Sequence, residues 1–279
     1  RFWRRCYNGI NTKALERFLI KEKFDCIITT HFMSAEVGAY LKRKGLINAK
    51  IICTVTDYDV HRVWINKGID LYTAACDFTK EKIISLKVPA DKVFVTGIPT
   101  DEKFSSVVDR TAARQQLKVD TKAFTVLLAT GSFGTGPIAE LMDMLSGYQL
   151  LVVCGSNHLL YERLKSRNNE RVHVFGLVNN MYELMSAADV LVSKPGGLSI
   201  SEALVKKLPM IFFNAIPGQE TGNIKVLVKY QAAEDQGSLM DIVHRIDDLS
   251  SSPEKYHALR QKLEILSKPN AVKDIIQLI

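Results

Sequence analysis

Residues 190–223 read VLVSKPGGLSISEALVKKLPMIFFNAIPGQETGN, and the order of signals in this stretch decides the fold. Val190 to Val192 is a short apolar run suited to a buried strand. Pro195, Gly196 and Gly197 interrupt it, and from Ser199 to Leu204 apolar residues return at helical spacing behind a serine-rich start. Such a turn leaves backbone N–H groups pointing outward at the positive end of a helix dipole, which suits a phosphate or pyrophosphate. Glu202 is expected in the first turn of that helix, where a carboxylate is tolerated and can accept hydrogen bonds from a pair of sugar hydroxyls. A second strand, Met210 to Phe213, runs into Asn214 and a polar loop with Gly218, Gln219 and Glu220, followed by Asn223. Ligands of open α/β sheets bind outside the carboxyl ends of strands, so these side chains are expected to face the same crevice as the glycine turn and to read the hydroxyls of a hexose. Singly, each is also an ordinary turn residue; their combined order favours a site.

The same alternation runs through the rest of the chain. Apolar runs at Cys26 to Ile28, Lys50 to Val55, Leu71 to Ala74, Lys92 to Val95, Phe124 to Ala129, Leu150 to Cys154 and Arg171 to Phe175 alternate with helical stretches, which predicts α/β architecture with parallel sheets covered on both faces. The segment 99–120 is polar and lacks apolar periodicity, so a connection is placed there. A chain of 279 residues with 47% hydrophobic content is long enough for two modest cores.

The motifs resemble those of the processive diacylglycerol glucosyltransferases and monogalactosyldiacylglycerol synthases. These are family 28 glycosyltransferases, related to the enzyme that makes the lipid-linked peptidoglycan precursor. SKPGGLSISEAL and IPGQETGN carry the resemblance, together with VTDYDVHRVWINKGIDLY from Val55, VTGIPTDEKF from Val95, LLATGSFG from Leu127 and VFGLVNNMYELMSAADVLVSKPGG from Val174. The resemblance implies a GT-B fold, two Rossmann-like domains facing across a cleft. Residues 1–110 would form a partial acceptor- and membrane-side domain, and residues 121–279 the UDP-sugar domain. By resemblance, Gly131, Ser132 and Phe133 form a phosphate-side loop, and Phe175, Leu177 and Val178 hold the uracil ring. Pro195, Gly196, Gly197, Ser199 and Glu202 then hold diphosphate and ribose, and Gly218, Gln219, Glu220 and Asn223 the hexose. The implied reaction is inverting transfer of a hexose from a UDP-sugar to a membrane lipid such as diacylglycerol, without cofactor or metal.

Weaker assignments concern the first half. His31 follows a strand end, where it reads either as an acid/base or phosphate contact or as a helix cap. Asp57, His61 and Trp64 follow another strand end and could shape the acceptor site; alternatively Asp57 caps a helix and Trp64 fills the core. Asp57 and Asp59 have the spacing of an Asp-x-Asp metal pair, but by resemblance they belong to the acceptor domain, which disfavours a metal site there. The chain opens at Arg1 without methionine, so the N-terminal domain is expected to be incomplete; by resemblance, the main catalytic base would lie upstream.

Charge bears on partners. Residues 1–67 hold 13 Lys and Arg against 6 Asp and Glu, which equals the net +7 of the whole chain. Arg1, Arg4 and Arg5 interleaved with Phe2, Trp3 and Tyr7 suit an anionic membrane surface, while no aromatic–basic motif supports nucleic acid. Cys6, Cys26, Cys53, Cys76 and Cys154 form no CxxC pair and read as reduced core thiols, which points to a cytoplasmic protein held peripherally at the membrane. A UDP-N-acetylglucosamine epimerase-like enzyme and a non-catalytic nucleotide-sugar-binding fragment are the alternative readings. A nicotinamide dehydrogenase is disfavoured, because no GxGxxG follows an early strand.

Overall fold

The structure is a computed structural model that describes residues 12–129, 131, 134 and 136–279. The basic–aromatic run at residues 1–7, Cys6, Ser132 and Phe133 lie outside the described residues. The chain divides into two compact units. One holds the described residues up to Pro99 together with Asn270–Ile279, and the other is Thr100–Pro269.

In the first unit α1 (Lys13–Glu22), β1 (Cys26–Thr29), α2 (Phe32–Arg43), β2 (Lys50–Thr54), β3 (Leu71–Ala74), α3 (Asp77–Ser85) and β4 (Val93–Val95) alternate. The strands form a parallel sheet in the order β1-β2-β3-β4. Ile51, Cys53 and Val55, two residues apart, share one face of the pleat and pack with Tyr72 and Ala74 against Ala35 and Ala39 of α2 and Ile83 of α3. Alanines on α2 let that helix approach the sheet closely.

The second unit contains α4 (Arg110–Gln116), β5 (Thr125–Ala129), α5 (Ile138–Met144), β6 (Gln149–Val153), α6 (His158–Lys165), β7 (Val172–Phe175), α7 (Met181–Ala187), β8 (Val190–Ser193), α8 (Gly197–Val205), β9 (Met210–Phe212), α9 (Gln219–Lys229), α10 (Leu239–Ser251) and α11 (Pro253–Leu266). Its strands are parallel in the order β7-β6-β5-β8-β9. Val126, Leu128, Leu150, Val152, Val190 and Val192 form the sheet's contribution to a core closed by Ile138 and Leu141 of α5, Leu145 just after it, and Ile242 and Ile246 of α10. Burying each such aliphatic side chain stabilises the fold by about 1.5–3 kcal/mol over leaving it in water. The last helix, α12 (Ala271–Ile276), returns to the first unit, where the Lys50 ammonium donates to the Leu278 carbonyl at 2.6 Å.

All nine strands coincide with the apolar runs in the sequence to within a residue or so at either end. The polar segment 99–120 differs from expectation. From Thr100 it belongs to the second unit, and α4 packs on α7 there. A buried ion pair replaces the missing apolar stripe. Arg114, 4% exposed, donates from Nε to the Ala187 carbonyl at 2.8 Å and from Nη1 to the Thr121 carbonyl at 2.9 Å. Its Nη2 meets Asp189 Oδ2 at 2.6 Å, and the same oxygen accepts the Thr125 N–H at 2.7 Å. Arg110 engages the other carboxylate oxygen. One carboxylate thus joins α4 to the starts of β5 and β8.

The thiols of Cys53, Cys76 and Cys154 are buried and free, and Cys26 is partly buried and free. Burial pushes the Cys53 thiol up to about 12 and that of Cys154 up to about 11, so both stay protonated and unreactive at neutral pH.

Removing Arg114 leaves Asp189 buried with half its charge compensation gone. Arg114→Ala is expected to destabilise the second unit by about 3 kcal/mol, measured by urea denaturation, and a loss below about 1 kcal/mol would contradict this account of the pair.

Candidate functional site

Strand order fixes where a ligand can sit. β6 and β7 lie on one side of β5, and β8 and β9 on the other, so the chain reverses direction across the sheet between β5 and β8. Their registers align Ala129 with Ser193 and Ser193 with Phe212, which brings the loops that follow these strands out of the same edge. That edge, at the reversal, is where open α/β sheets bind ligands.

At the end of β8, α8 begins behind Gly196 with no side-chain cap. The backbone N–H groups of its first turn, Gly197, Leu198 and Ser199, therefore point out of the helix end with its positive dipole. Gly196 has φ −70°, which any residue adopts, and a Cβ built there meets nothing within 4 Å. Neither conformation nor packing demands glycine at this position; what a side chain would occupy is the open space over the helix end. Pro195 and Gly197 are buried beneath it.

Glu202 is the sixth residue of α8 and not in its first turn, because the helix starts at Gly197, ahead of the serines that the sequence suggested. It lies four residues after Leu198 and so shares a helix face with it; Leu198 is half exposed. The carboxyl is partly buried, and no hydrogen bond or ion pair from a described residue reaches it. Burial, and secondarily the negative charge of Asp101, pushes it from an ordinary 4.5 to about 7. Asp101 was not singled out in the sequence; it heads the short turn Glu102–Phe104 and caps it through the Lys103 N–H at 2.9 Å.

The loop after β5 is shaped by close approach. A Cβ on Gly134 would stand 2.1 Å from the Cys154 carbonyl oxygen, and one on Gly136 2.6 Å from the Phe213 ring. Asn157 ties the neighbouring loop to this one, donating to the Gly134 carbonyl at 2.8 Å while capping α6 through the Leu160 N–H. Gly131 holds φ +70°, a left-handed conformation suited to glycine. At the end of β7, Phe175 and Val178 are half-buried and Leu177 is 75% exposed, an apolar side chain standing free at the same edge.

After β9 the expected polar loop is shorter than its sequence suggested, since α9 starts at Gln219. Gly218 holds φ +96° and donates its N–H to Thr221 Oγ1 at 3.0 Å. Gln219 is exposed. Glu220 folds back to accept the Ile216 N–H at 2.7 Å, which orders the loop. α9 turns Asn223 inward: it is fully buried and donates to the Pro195 carbonyl at 3.0 Å, which holds the glycine turn in place.

In the first unit His31 and His61 lie beyond the carboxyl ends of β1 and β2. Each caps a helical turn by accepting a backbone N–H at Nδ1, from Met33 and Val63 respectively, both at 3.2 Å. With the Nδ1 lone pair so used, the neutral imidazole carries its proton on Nε2 and offers a donor there. His31 is exposed and His61 likewise. Trp64, 2% exposed, donates its indole N–H to Asp57, 3% exposed, at 2.9 Å. This corrects the acceptor-side reading of both: the ring is core packing that presents no face to a ligand, and Asp57 is its hydrogen-bond partner. Asp59 pairs with Lys82. No group of three His, Cys, Asp or Glu side chains among the described residues could hold a metal ion.

The family model for monogalactosyldiacylglycerol (MGDG) synthase matches residues 4–100, and that for the glycosyltransferase family 28 C-terminal domain matches residues 93–277. Processive diacylglycerol beta-glucosyltransferase of Staphylococcus epidermidis is 32% identical over 92% of this chain, and that of Bacillus cereus 30% identical over 96%. The chain spans 66% and 68% of their respective lengths. Among solved structures, HepE of Anabaena in complex with UDP is similar with a TM-score of 0.62 and 18% identity, covering 95% of this chain and 80% of that one. MurG of Acinetobacter baumannii gives 0.66 and 18%, covering 96% and 76%. UDP-GlcNAc 2-epimerase of Neisseria meningitidis gives 0.67 and 16%, covering 97% and 80%. These structural likenesses establish two Rossmann-like α/β domains of the GT-B class. Sequence identity and the family model together establish that the chain belongs to glycosyltransferase family 28, among the processive diacylglycerol glucosyltransferases and monogalactosyldiacylglycerol synthases.

Proposed function

We propose that this chain is the UDP-sugar-binding part and much of the acceptor part of an inverting glycosyltransferase that moves a hexose from a UDP-sugar to a lipid hydroxyl such as that of diacylglycerol. The observation that carries the reading is Glu202, a partly buried carboxylate without a hydrogen-bond donor among the described residues, on the helix whose uncapped N-terminus opens at the reversal point of the second sheet. A ribose diol supplies two donors for that carboxylate, and a diphosphate supplies the negative charge for the helix end. Leu177, with Phe175 and Val178, offers apolar cover to a uracil ring, and Gln219 offers an amide to the hexose. The relatives are named beta-glucosyltransferases, and UDP-glucose carries an α-linked sugar, so a single inversion at the anomeric carbon accounts for that product.

Bond breaking puts charge on the departing UDP. N–H groups of Gly197, Leu198 and Ser199 already point toward that charge and need no rearrangement to stabilise it, and Gly131 would add a backbone donor from the adjacent loop. The acceptor hydroxyl must lose a proton, and neither His31 nor His61 presents a free lone pair while it caps its helix. His31 therefore suits a hydrogen-bond donor to the acceptor or its headgroup, and the base is assigned elsewhere.

A lipid acceptor would be met at a membrane surface. No helix among the described residues is long and apolar enough to cross a membrane. On α1 and just after it, Phe18 and Phe24 are 51% and 38% exposed with ring centroids 5.5 Å apart, flanked by Lys13, Arg17, Lys21 and Lys23. Exposed aromatics in a segment whose four cations outnumber Glu16, Glu22 and Asp25 suit an anionic interface.

Two outcomes are expected. The folded Glu202 carboxyl keeps its proton up to about 7, above the ordinary 4.5, so ionising it costs the unliganded fold stability as pH rises through that window. A bound diol favours the ionised form. UDP-glucose, whose own charge is constant there, should bind more tightly as pH rises from about 6 to 8, and Glu202→Gln should abolish this dependence and weaken binding by about 1.5–3 kcal/mol at pH 8, measured by calorimetry. A wild-type pH profile already flat would remove Glu202 from the site. Separately, Phe18→Ser with Phe24→Ser should weaken sedimentation with vesicles containing phosphatidylglycerol by about tenfold or more, because each buried aromatic contributes about 1.5–3 kcal/mol. Unchanged binding would place the membrane contact on another surface.

A further inference from the structure

The edge of the second sheet opposite the nucleotide loops carries a separate cavity of about 550 Å³. Ala188 and Leu208, just ahead of β8 and β9, line it, whereas the donor loops leave from the other ends of the same strands. Four cationic side chains line it, Arg110, Lys206, Lys207 and Arg260, and Asp109 is the only carboxylate among its lining residues. Such an imbalance inside a concave wall concentrates positive potential.

The pairing pattern sharpens this. Arg110 shares Asp189 with Arg114, and Lys207 pairs with Glu264 at 2.5 Å. Asp109 is occupied as the cap of α4, accepting the Ala112 N–H at 3.0 Å. Among the described residues, Lys206 and Arg260 have no carboxylate partner. The Lys206 ammonium donates to the Ser106 carbonyl at 2.9 Å, and burial holds it below the ordinary lysine range. Arg260 donates from Nε to the Lys207 carbonyl at 3.1 Å, and its guanidinium lies 5.8 Å from the Tyr256 ring centroid, which leaves its terminal N–H groups for another acceptor. The carboxyl end of α8 supplies about half a negative charge, less than these two cations require.

We propose that this cavity is a second anion site, independent of the nucleotide loops, that takes the phosphate of a mono- or diester between Lys206 and Arg260. A planar guanidinium and a compact ammonium lining one cavity are a pair of donors that tetrahedral phosphate oxygens can use. Val107 on the rim is fully exposed, so an acyl-bearing phosphate would also find an apolar contact there. Free phosphate esters and the headgroup of an anionic phospholipid share this chemistry.

The test is calorimetric titration of the whole chain, with UDP present in excess, by inorganic phosphate and separately by dihexanoyl phosphatidylglycerol below its micelle concentration. Binding of one or both is expected, and Lys206→Met and Arg260→Gln should each weaken it by about tenfold, the effect of one charge-assisted hydrogen bond, while UDP affinity stays as in the wild type. Lys206→Met keeps the aliphatic stem, so a folding defect at Arg260 leaves the result readable. Phosphate binding assigns a free ester as the source, and binding of the lipid alone assigns a headgroup. Absence of binding by both probes, or binding that neither substitution weakens, overturns the proposal. The substitutions locate the anion whether or not UDP binds, which separates this outcome from failure of the nucleotide reading.

Discussion

Parallel pairing of β5 with β8 is the constraint on which the site depends. It sets Ala129 beside Ser193, so the glycine loop after one strand and the helix start after the other emerge side by side. Each feature alone is common. Uncapped helix ends are satisfied by water in many proteins, and glycine loops follow many strands. Their juxtaposition at the point where the chain changes direction across the sheet produces a row of backbone donors, with no atom of the described residues within 4 Å of a Cβ built on Gly196.

Two carboxylates in the second unit show the contrast between structural and functional burial. Asp189 is surrounded by two arginines and a backbone N–H, and its burial is compensated in full. Glu202, on the other end of the same layer, is left without a donor and is pushed up to about 7. Folding alone gains nothing from that arrangement; a ligand that brings its own donors does. Asn223 belongs with Asp189 in this respect, since its hydrogen bond to Pro195 fixes the turn that the ligand would meet.

Strands were legible because parallel strands covered on both faces read as short continuous apolar runs, and the runs at Val126 to Ala129 or Val190 to Val192 have no other comfortable structure. The glycine turn was legible for a similar reason, as a break between two strong signals. Direction of side chains was not. Asn223 looks like a polar loop residue in the sequence, but α9 begins four residues earlier and rotates it into the core. Trp64 and Asp57 read as surface chemistry at a strand end, and their mutual hydrogen bond is visible only once the 3-10 turn Arg62–Trp64 is in place. The segment 99–120 escaped because its helix is held by a buried arginine and not by an apolar stripe, a signal that hydrophobic periodicity does not contain.

The most direct measurement is a crystal structure of this chain with UDP. The account predicts diphosphate oxygens within hydrogen-bond distance of the N–H groups of Leu198 and Ser199, with both ribose hydroxyls donating to Glu202. A nucleotide bound elsewhere, or one seated at this edge with Glu202 turned away from its ribose, would contradict it.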